Sequence, residues 1–141
     1  KRSNNLKNHP GQIAFPGGKK DQSDSSPIET ALRETQEEVG LNPKNVEIIA
    51  SLPSHRTATG FVITPYLGLI NQPFSETLRQ GEVDEIFTVP YEYILNEKNF
   101  SIKTRKWNGS QRSYYVVPYG PYYIWGATAR ILLNLSRALS Q

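Results

Sequence analysis

Three carboxylates and a guanidinium crowd one short stretch of the chain: Arg33, Glu34, Glu37 and Glu38. Positions i, i+3 and i+4 share one face of a helix, so the three glutamates lie side by side if the segment is helical. Like charges at that spacing repel by roughly 0.2–0.5 kcal/mol per exposed pair, and by more where water is excluded. Within the segment only Arg33 compensates. A hard divalent cation is the natural remainder, because Mg²⁺ takes carboxylate oxygens, keeps waters and bridges to phosphate oxygens. A solvated acidic face is the common alternative for glutamates on a helix. Ahead of the cluster, residues 1–20 carry Lys1, Arg2, Lys7, Lys19 and Lys20 with no acid, a local charge of +5, whereas residues 27–39 carry −3. A basic entry beside an acidic helix suits a polyanion handled through a bridging cation. Chance clustering on a solvated surface explains the same counts.

The element that must present the cluster is a helix over 27–39. Ser26 is a suitable N-cap, Pro27 suits the first helical position, and Glu29 three residues after the cap completes a capping box. Gly40 can adopt the left-handed stop, and Pro43 lies just beyond. At 100° per residue, Ile28, Ala31, Leu32, Thr35 and Val39 form the core face. Glu34, Glu37 and Glu38 occupy a separate arc, with Arg33 at its flank.

Around this helix, strands are expected at Gln12–Phe15, Val46–Leu52, Val62–Ile70 and Glu85–Val89, with Pro65 bending the third or placing it partly at an edge. Ser101–Trp107 and Ser113–Val117 flank the hairpin signal Asn108-Gly109. Ile124, Thr128, Ile131, Leu132, Leu135 and Leu139 follow helical spacing and predict a helix over 124–139. The alternation predicts an α/β fold, an α/β/α sandwich around a mixed β-sheet. The chain has 141 residues, 37% hydrophobic and 21% charged, with a net charge of +3. That predicts a single domain, neither disordered nor membrane-spanning. Without cysteine, disulfides and thiolate metal sites are excluded. Without methionine, the chain lacks an initiator and is expected to be part of a longer protein with its N-terminal part missing.

The stretch from Gly17-Gly18 to Leu41 resembles the Nudix box, a glycine-led loop followed by a helix patterned R-E-hydrophobic-x-E-E-x-G-hydrophobic. Arg33-Glu34-Thr35-Gln36-Glu37-Glu38-Val39-Gly40-Leu41 supplies that pattern, with Thr35 a weak stand-in for the first hydrophobic position. One departure is visible. Fourteen residues separate Gly18 from Arg33, one more than the general box allows, and the usual intervening Glu is absent, with Asp21, Asp24 and Ser25 nearby. A longer loop of this kind marks the coenzyme A diphosphatase subgroup, whose upstream signature reads approximately R-S-x3-R-x3-G-x3-F-P-G-G. Arg2-Ser3, Lys7, Gly11 and Phe15-Pro16-Gly17-Gly18 stand in register with it. Lys7 replaces the usual Arg, keeping the charge but not the bidentate fork. Val62-Ile63-Thr64-Pro65, Gly81-Glu82-Val83 and Trp125-Gly126-Ala127-Thr128-Ala129 extend the resemblance over essentially the whole chain.

The resemblance implies the Nudix fold and a divalent-metal-dependent hydrolase. The implied substrate is coenzyme A or acyl-CoA, cleaved to 3′-phospho-AMP and (acyl-)4′-phosphopantetheine with Mg²⁺ or Mn²⁺. Carried over residue by residue, Glu34 and Glu38 are metal ligands and Glu37 is the third. Arg33 orients the carboxylates, and the general base is a box glutamate or Glu82 from a later loop. Gly17 and Gly18 let backbone approach metal or phosphate, and Arg2, Lys7 and Arg56 are candidate substrate contacts. Phe15 is assigned to the core, His9 and His55 to surface or loop, and the tyrosines mainly to packing.

Two other readings stand beside this one. The box alone also suits NADH, ADP-ribose or a dinucleoside polyphosphate as substrate. A non-catalytic nucleotide- or RNA-binding module is the third, although a pure binder has no reason to gather unpaired carboxylates. The expected partners are a small molecule and possible self-association as a homodimer, with no nucleic acid and no membrane. A cytoplasmic setting is expected.

Overall fold

The computed structural model describes residues 1–140. The helix at the centre of the expectation, α1, runs Pro27–Val39. Ser26 caps it by accepting from the Glu29 N–H, and Gly40 closes it with φ 81° and an N–H donated to the Gln36 carbonyl. A β-carbon at Gly40 would stand 3.0 Å from the Thr77 backbone nitrogen, so both the left-handed turn and the close approach of that chain demand glycine. The Glu29 carboxylate accepts from Ser25 N–H and Oγ rather than reaching back to Ser26, a shifted form of the expected box.

The remaining elements are β1 (Val46–Ser51), β2 (His55–Arg56), β3 (Val62–Ile63), β4 (Tyr66–Ile70), α2 (Tyr91–Leu95), β5 (Ser101–Trp107), β6 (Ser110–Val116) and α3 (Gly126–Leu139). Short 3-10 turns occupy Pro43–Asn45 and Glu97–Asn99. The strands form three two-stranded antiparallel ladders, β1 with β4, β2 with β3 and β5 with β6. The α/β content is as expected, but the ladders are separate where one mixed sheet was anticipated. Pro65 is the reason for one break. It lacks an N–H and divides the predicted Val62–Ile70 strand into β3 and β4, which pair with different partners.

Two compact units emerge. The first comprises residues 1–54 and 64–87, and the second residues 55–63 and 88–141. In the first, α1 and the β1–β4 ladder are accompanied by a small apolar core containing Ile13, Val39 and Leu41. The predicted strands Gln12–Phe15 and Glu85–Val89 do not form. Instead Arg2 and Val83 make an isolated antiparallel bridge, with Ser3 N–H donating to the Glu82 carbonyl at 2.8 Å. In the second, α3 buries Ala129, Ile131, Leu132 and Leu133, in a core that includes Ile94, Val116, Val117 and Ile124. Tyr114 meets Trp125 and Tyr93 meets Tyr119 edge to face, at 5.4 and 5.1 Å between ring centres.

Two core assignments need correction. Phe15, in the loop before the glycines, is 51% exposed, and Ile28, in the first turn of α1, is 36% exposed. Thr30, off the predicted apolar arc, is buried instead, because its hydroxyl donates to Asp24.

Candidate active site

Asp24 anchors the site, and it lies outside the acidic helix. It is buried in the loop before α1 and accepts from Arg33 Nε at 2.9 Å and from Arg33 Nη2 at 2.9 Å. The Thr30 hydroxyl at 2.9 Å and the Asp21 N–H at 2.8 Å complete its partners. The bidentate Arg33 fork, then the backbone donor, hold the Asp24 carboxyl well below the usual carboxylate range. Asp24 is one of the three polar residues noted near the position where the general box has glutamate. Of the three polar residues near the vacant position, only Asp24 turns inward to Arg33, and no spacing rule singled it out.

Held this way, Arg33 turns its remaining donors to the cluster. Its Nη1 contacts Glu34 Oε1 at 3.1 Å and Glu37 Oε1 at 3.3 Å. Its Nη2 also reaches the Lys19 carbonyl at 3.4 Å, joining the glycine loop to the helix. The guanidinium pKa is raised, first by Asp24.

The two glycines act on different glutamates. The Gly17 backbone favours the ionised form of Glu38. At Gly18 a β-carbon would collide with the Glu34 carboxylate, standing 2.5 Å from its carboxyl carbon. Hydrogen at that position is what admits Glu34. Glu38 is half-buried, and burial, followed by the neighbouring Glu34 and Glu82 charges, pushes its pKa up to about 7. Arg2 acts in the opposite sense on Glu38 without reversing the shift.

Glu82 reaches this neighbourhood through the segment 77–85. Thr77 N–H donates to the Val39 carbonyl and Arg79 N–H to the Glu38 carbonyl, each at 3.0 Å, so the segment crosses the C-terminal turn of α1. Arg79 then pairs with Glu37 Oε2 at 3.1 Å and with Glu82 Oε1 at 3.3 Å. Glu37 therefore lies between two guanidiniums, Arg33 on one oxygen and Arg79 on the other. Arg79 was not singled out from the sequence, because its partners are 42 positions upstream and three downstream.

The candidate substrate contacts have different local surroundings. The Arg2 guanidinium donates to the Asn8 and His9 carbonyls at 3.2 and 3.3 Å, shaping the loop that exposes Lys7. Arg56 is exposed on β2 opposite Val62, in the second unit. His9 is exposed in a turn, and His55 is half-buried on β2.

Among the described residues, no three Asp, Glu, His or Cys side chains form a ready-made metal cage. The donors nonetheless suit one kind of ion. Mg²⁺ keeps several waters and takes one or two carboxylates together with substrate phosphates, rather than a protein-only cage. Glu34 in its glycine cradle and Glu38, crowded by like charge, offer such a pair of hard oxygens.

Residues 1–108 match the NUDIX domain family. The chain is 37% identical over 136 residues to a protein of Enterobacter sp. (strain 638) named an uncharacterized Nudix hydrolase NudL, covering 96% of this chain and 71% of that protein. Proteins of the same name from Pectobacterium atrosepticum and Citrobacter koseri are 36% and 38% identical, over 99% and 96% of this chain and 73% and 70% of theirs. No helix among the described residues is long and apolar enough to cross a membrane. A Nudix-like loop and helix, the family match over most of the length and relatives identical at more than a third of the aligned positions lead to one assignment: the chain belongs to the Nudix hydrolase family.

Proposed function

We propose that this Nudix hydrolase cleaves the diphosphate of coenzyme A or an acyl-CoA, releasing 3′-phospho-AMP and 4′-phosphopantetheine or its acyl form. The upstream signature, from Arg2 through Gly18, favours coenzyme A over other nucleoside diphosphate derivatives. The observation that carries the hydrolytic reading is the gathering of Glu34 and Glu82 around a half-buried Glu38, with backbone glycines making room.

Nudix hydrolases generally work with a divalent cation such as Mg²⁺ or Mn²⁺. Here Glu34 and Glu38 would hold it, with Glu37 as the third carboxylate. When bound, the ion supplies neutralisation of phosphate charge and acidification of water. The chain's own groups do the rest. Arg33, locked by Asp24, fixes the direction of Glu34 and Glu37. Glu82 is the proposed acceptor of the proton from attacking water, and its carbonyl bond from Ser3 fixes the loop that carries it. Arg2 and Lys7 are the candidate phosphate contacts, with Lys7 a point charge rather than a fork. Positioning and charge stabilisation supply most of the acceleration in phosphoryl chemistry.

The decisive experiment incubates the purified protein with CoA and Mg²⁺, or with Mn²⁺, and separates the products chromatographically, beside a panel of NADH, ADP-ribose and a dinucleoside polyphosphate. 3′-Phospho-AMP as the dominant product supports the proposal. Turnover of another panel member with CoA untouched transfers the chemistry to that substrate.

A further inference from the structure

Arg79 joins two carboxylates from different elements, and its backbone is built into the same contact. Its side chain meets Glu37 at 3.1 Å and Glu82 at 3.3 Å, while its N–H donates to the Glu38 carbonyl and its carbonyl accepts from both Glu82 and Val83. The guanidinium thus spans a helix glutamate and a loop glutamate as a divalent cation would, with one positive charge instead of two.

The setting distinguishes it from the other arginine of the cluster. Arg33 grips a carboxylate whose side chain is 2% exposed. Arg79 and both of its partners are more than 40% exposed. Ion pairs that open to solvent are weak and easily exchanged, whereas a bidentate pair on a buried carboxylate is not. Arg33 is a fixture, and Arg79 is replaceable.

Resting on the metal-site reading above, we propose that Arg79 is a positioning residue that serves as an internal counter-cation for Glu37 and Glu82 and gives way when a divalent ion loads. In the metal-free protein it holds the loop carboxylate against the helix and shields it from Glu38. A divalent ion held by Glu34, Glu37 and Glu38 would supply the positive charge that Arg79 now supplies to Glu37, and would leave the guanidinium available as a planar donor fork suited to a diphosphate. The ion and Arg79 would therefore compete for the Glu37 carboxylate, with Glu82 held on the Arg79 side of that competition. Arg79 raises the concentration of metal needed for loading while keeping the proposed base in register.

The test measures Mn²⁺ uptake by electron paramagnetic resonance of the free ion, without substrate, on the full chain and on Arg79→Ala, Arg79→Lys and Glu82→Gln. Circular dichroism confirms that each variant is folded. Competition predicts that Arg79→Ala binds Mn²⁺ about threefold to tenfold more tightly, with Arg79→Lys between it and the parent, because the charge remains but the two-pronged contact does not. It also predicts that removing Arg79 gains less in the Glu82→Gln background, and that Arg79→Ala raises KM for the nucleotide more than it lowers kcat. Equal or weaker Mn²⁺ binding by Arg79→Ala overturns the proposal and leaves a purely structural ion pair. Equal binding by parent and Arg79→Lys, with tighter binding by Arg79→Ala, also overturns it, since long-range charge alone then accounts for the effect. A parent protein that takes up no Mn²⁺ at millimolar concentration overturns both this inference and the metal-site reading, whereas uptake by the parent with no change in the variants overturns this inference alone.

Discussion

The α1 region and the β5–β6 hairpin treat charge in opposite ways. Up to Glu97 the chain carries nine basic and thirteen acidic residues, and after it seven basic residues and no acid. In the hairpin, Arg105 stands directly across from Arg112, with Lys103 and Lys106 nearby, and every residue of β5 is exposed. Like charges opposed on a ladder are unfavourable, yet water screens them, and Arg105 rests over the Trp107 ring at 5.7 Å. Around α1 the same repulsion is managed by construction. Asp24 is buried only because Arg33, Thr30 and Asp21 saturate it. Glu37 is shared by two arginines, and the remaining tension falls on Glu38. Exposure allows charge to go unanswered, whereas partial burial makes each unanswered charge a candidate for a ligand.

Substitutions in the two regions should therefore differ by orders of magnitude. Glu38→Gln preserves shape and removes the crowded charge; hydrolysis of CoA with Mg²⁺ should fall at least about a hundredfold while circular dichroism stays native. Turnover at the parent's rate would remove Glu38 from the ligand set.

Asp24→Asn strikes the anchor. Breaking a buried charge pair should lower Tm by several degrees and cut activity about tenfold through a loosened Arg33. The folded pKa of Asp24 lies below the unfolded one, so its contribution is complete at neutral pH and is lost as pH falls below the ordinary aspartate range. Thermal melts of parent and variant should accordingly converge in acid. An unchanged Tm at neutral pH would reduce Asp24 to an ordinary loop acid.

Glu38 has the reverse sign. Its folded pKa, about 7, lies above its unfolded value, so the native state holds the extra proton between the ordinary glutamate range and about pH 7. Stability of the metal-free protein should decline as pH rises through that window, by on the order of 1 kcal/mol once solvent screening of this half-exposed group is allowed for. Urea melts in chelator at pH 5 and pH 8 should show that decline in the parent and not in Glu38→Gln.

The smallest effect belongs to the hairpin. Replacing Arg105 and Arg112 by Ser should change stability by no more than about 0.5 kcal/mol. The direction is toward gain at low salt, and the difference should shrink as salt is added. A large loss would mean that the pair is engaged more strongly than its exposure suggests.

The sequence disclosed what neighbouring residues decide among themselves. Ser26-Pro27 and Gly40 set the bounds of α1, the i, i+3, i+4 spacing set the acidic face, and Asn108-Gly109 set the hairpin. It was silent where distant parts of the chain decide. Gln12–Phe15 and Glu85–Val89 had suitable residues but are not assigned as strands, and the nearby pairing is the isolated Arg2–Val83 bridge. The Arg33–Asp24 clasp could not be selected from several polar loop residues, because only folding shows which of them faces inward. Arg79 required knowing that residues 77–85 cross the end of α1. Ile28 satisfied the helical period but met solvent, since periodicity defines a face without supplying something to cover it.

Gly18 contributes nothing that could bind, donate a side-chain proton or carry charge, yet the position of the Glu34 carboxylate depends on it. The closest approach at any glycine of the chain is thus set by an empty volume beside the proposed ligand Glu34. A search for functional groups would pass over that position, yet the smallest added methyl there must displace the Glu34 carboxylate from its present place.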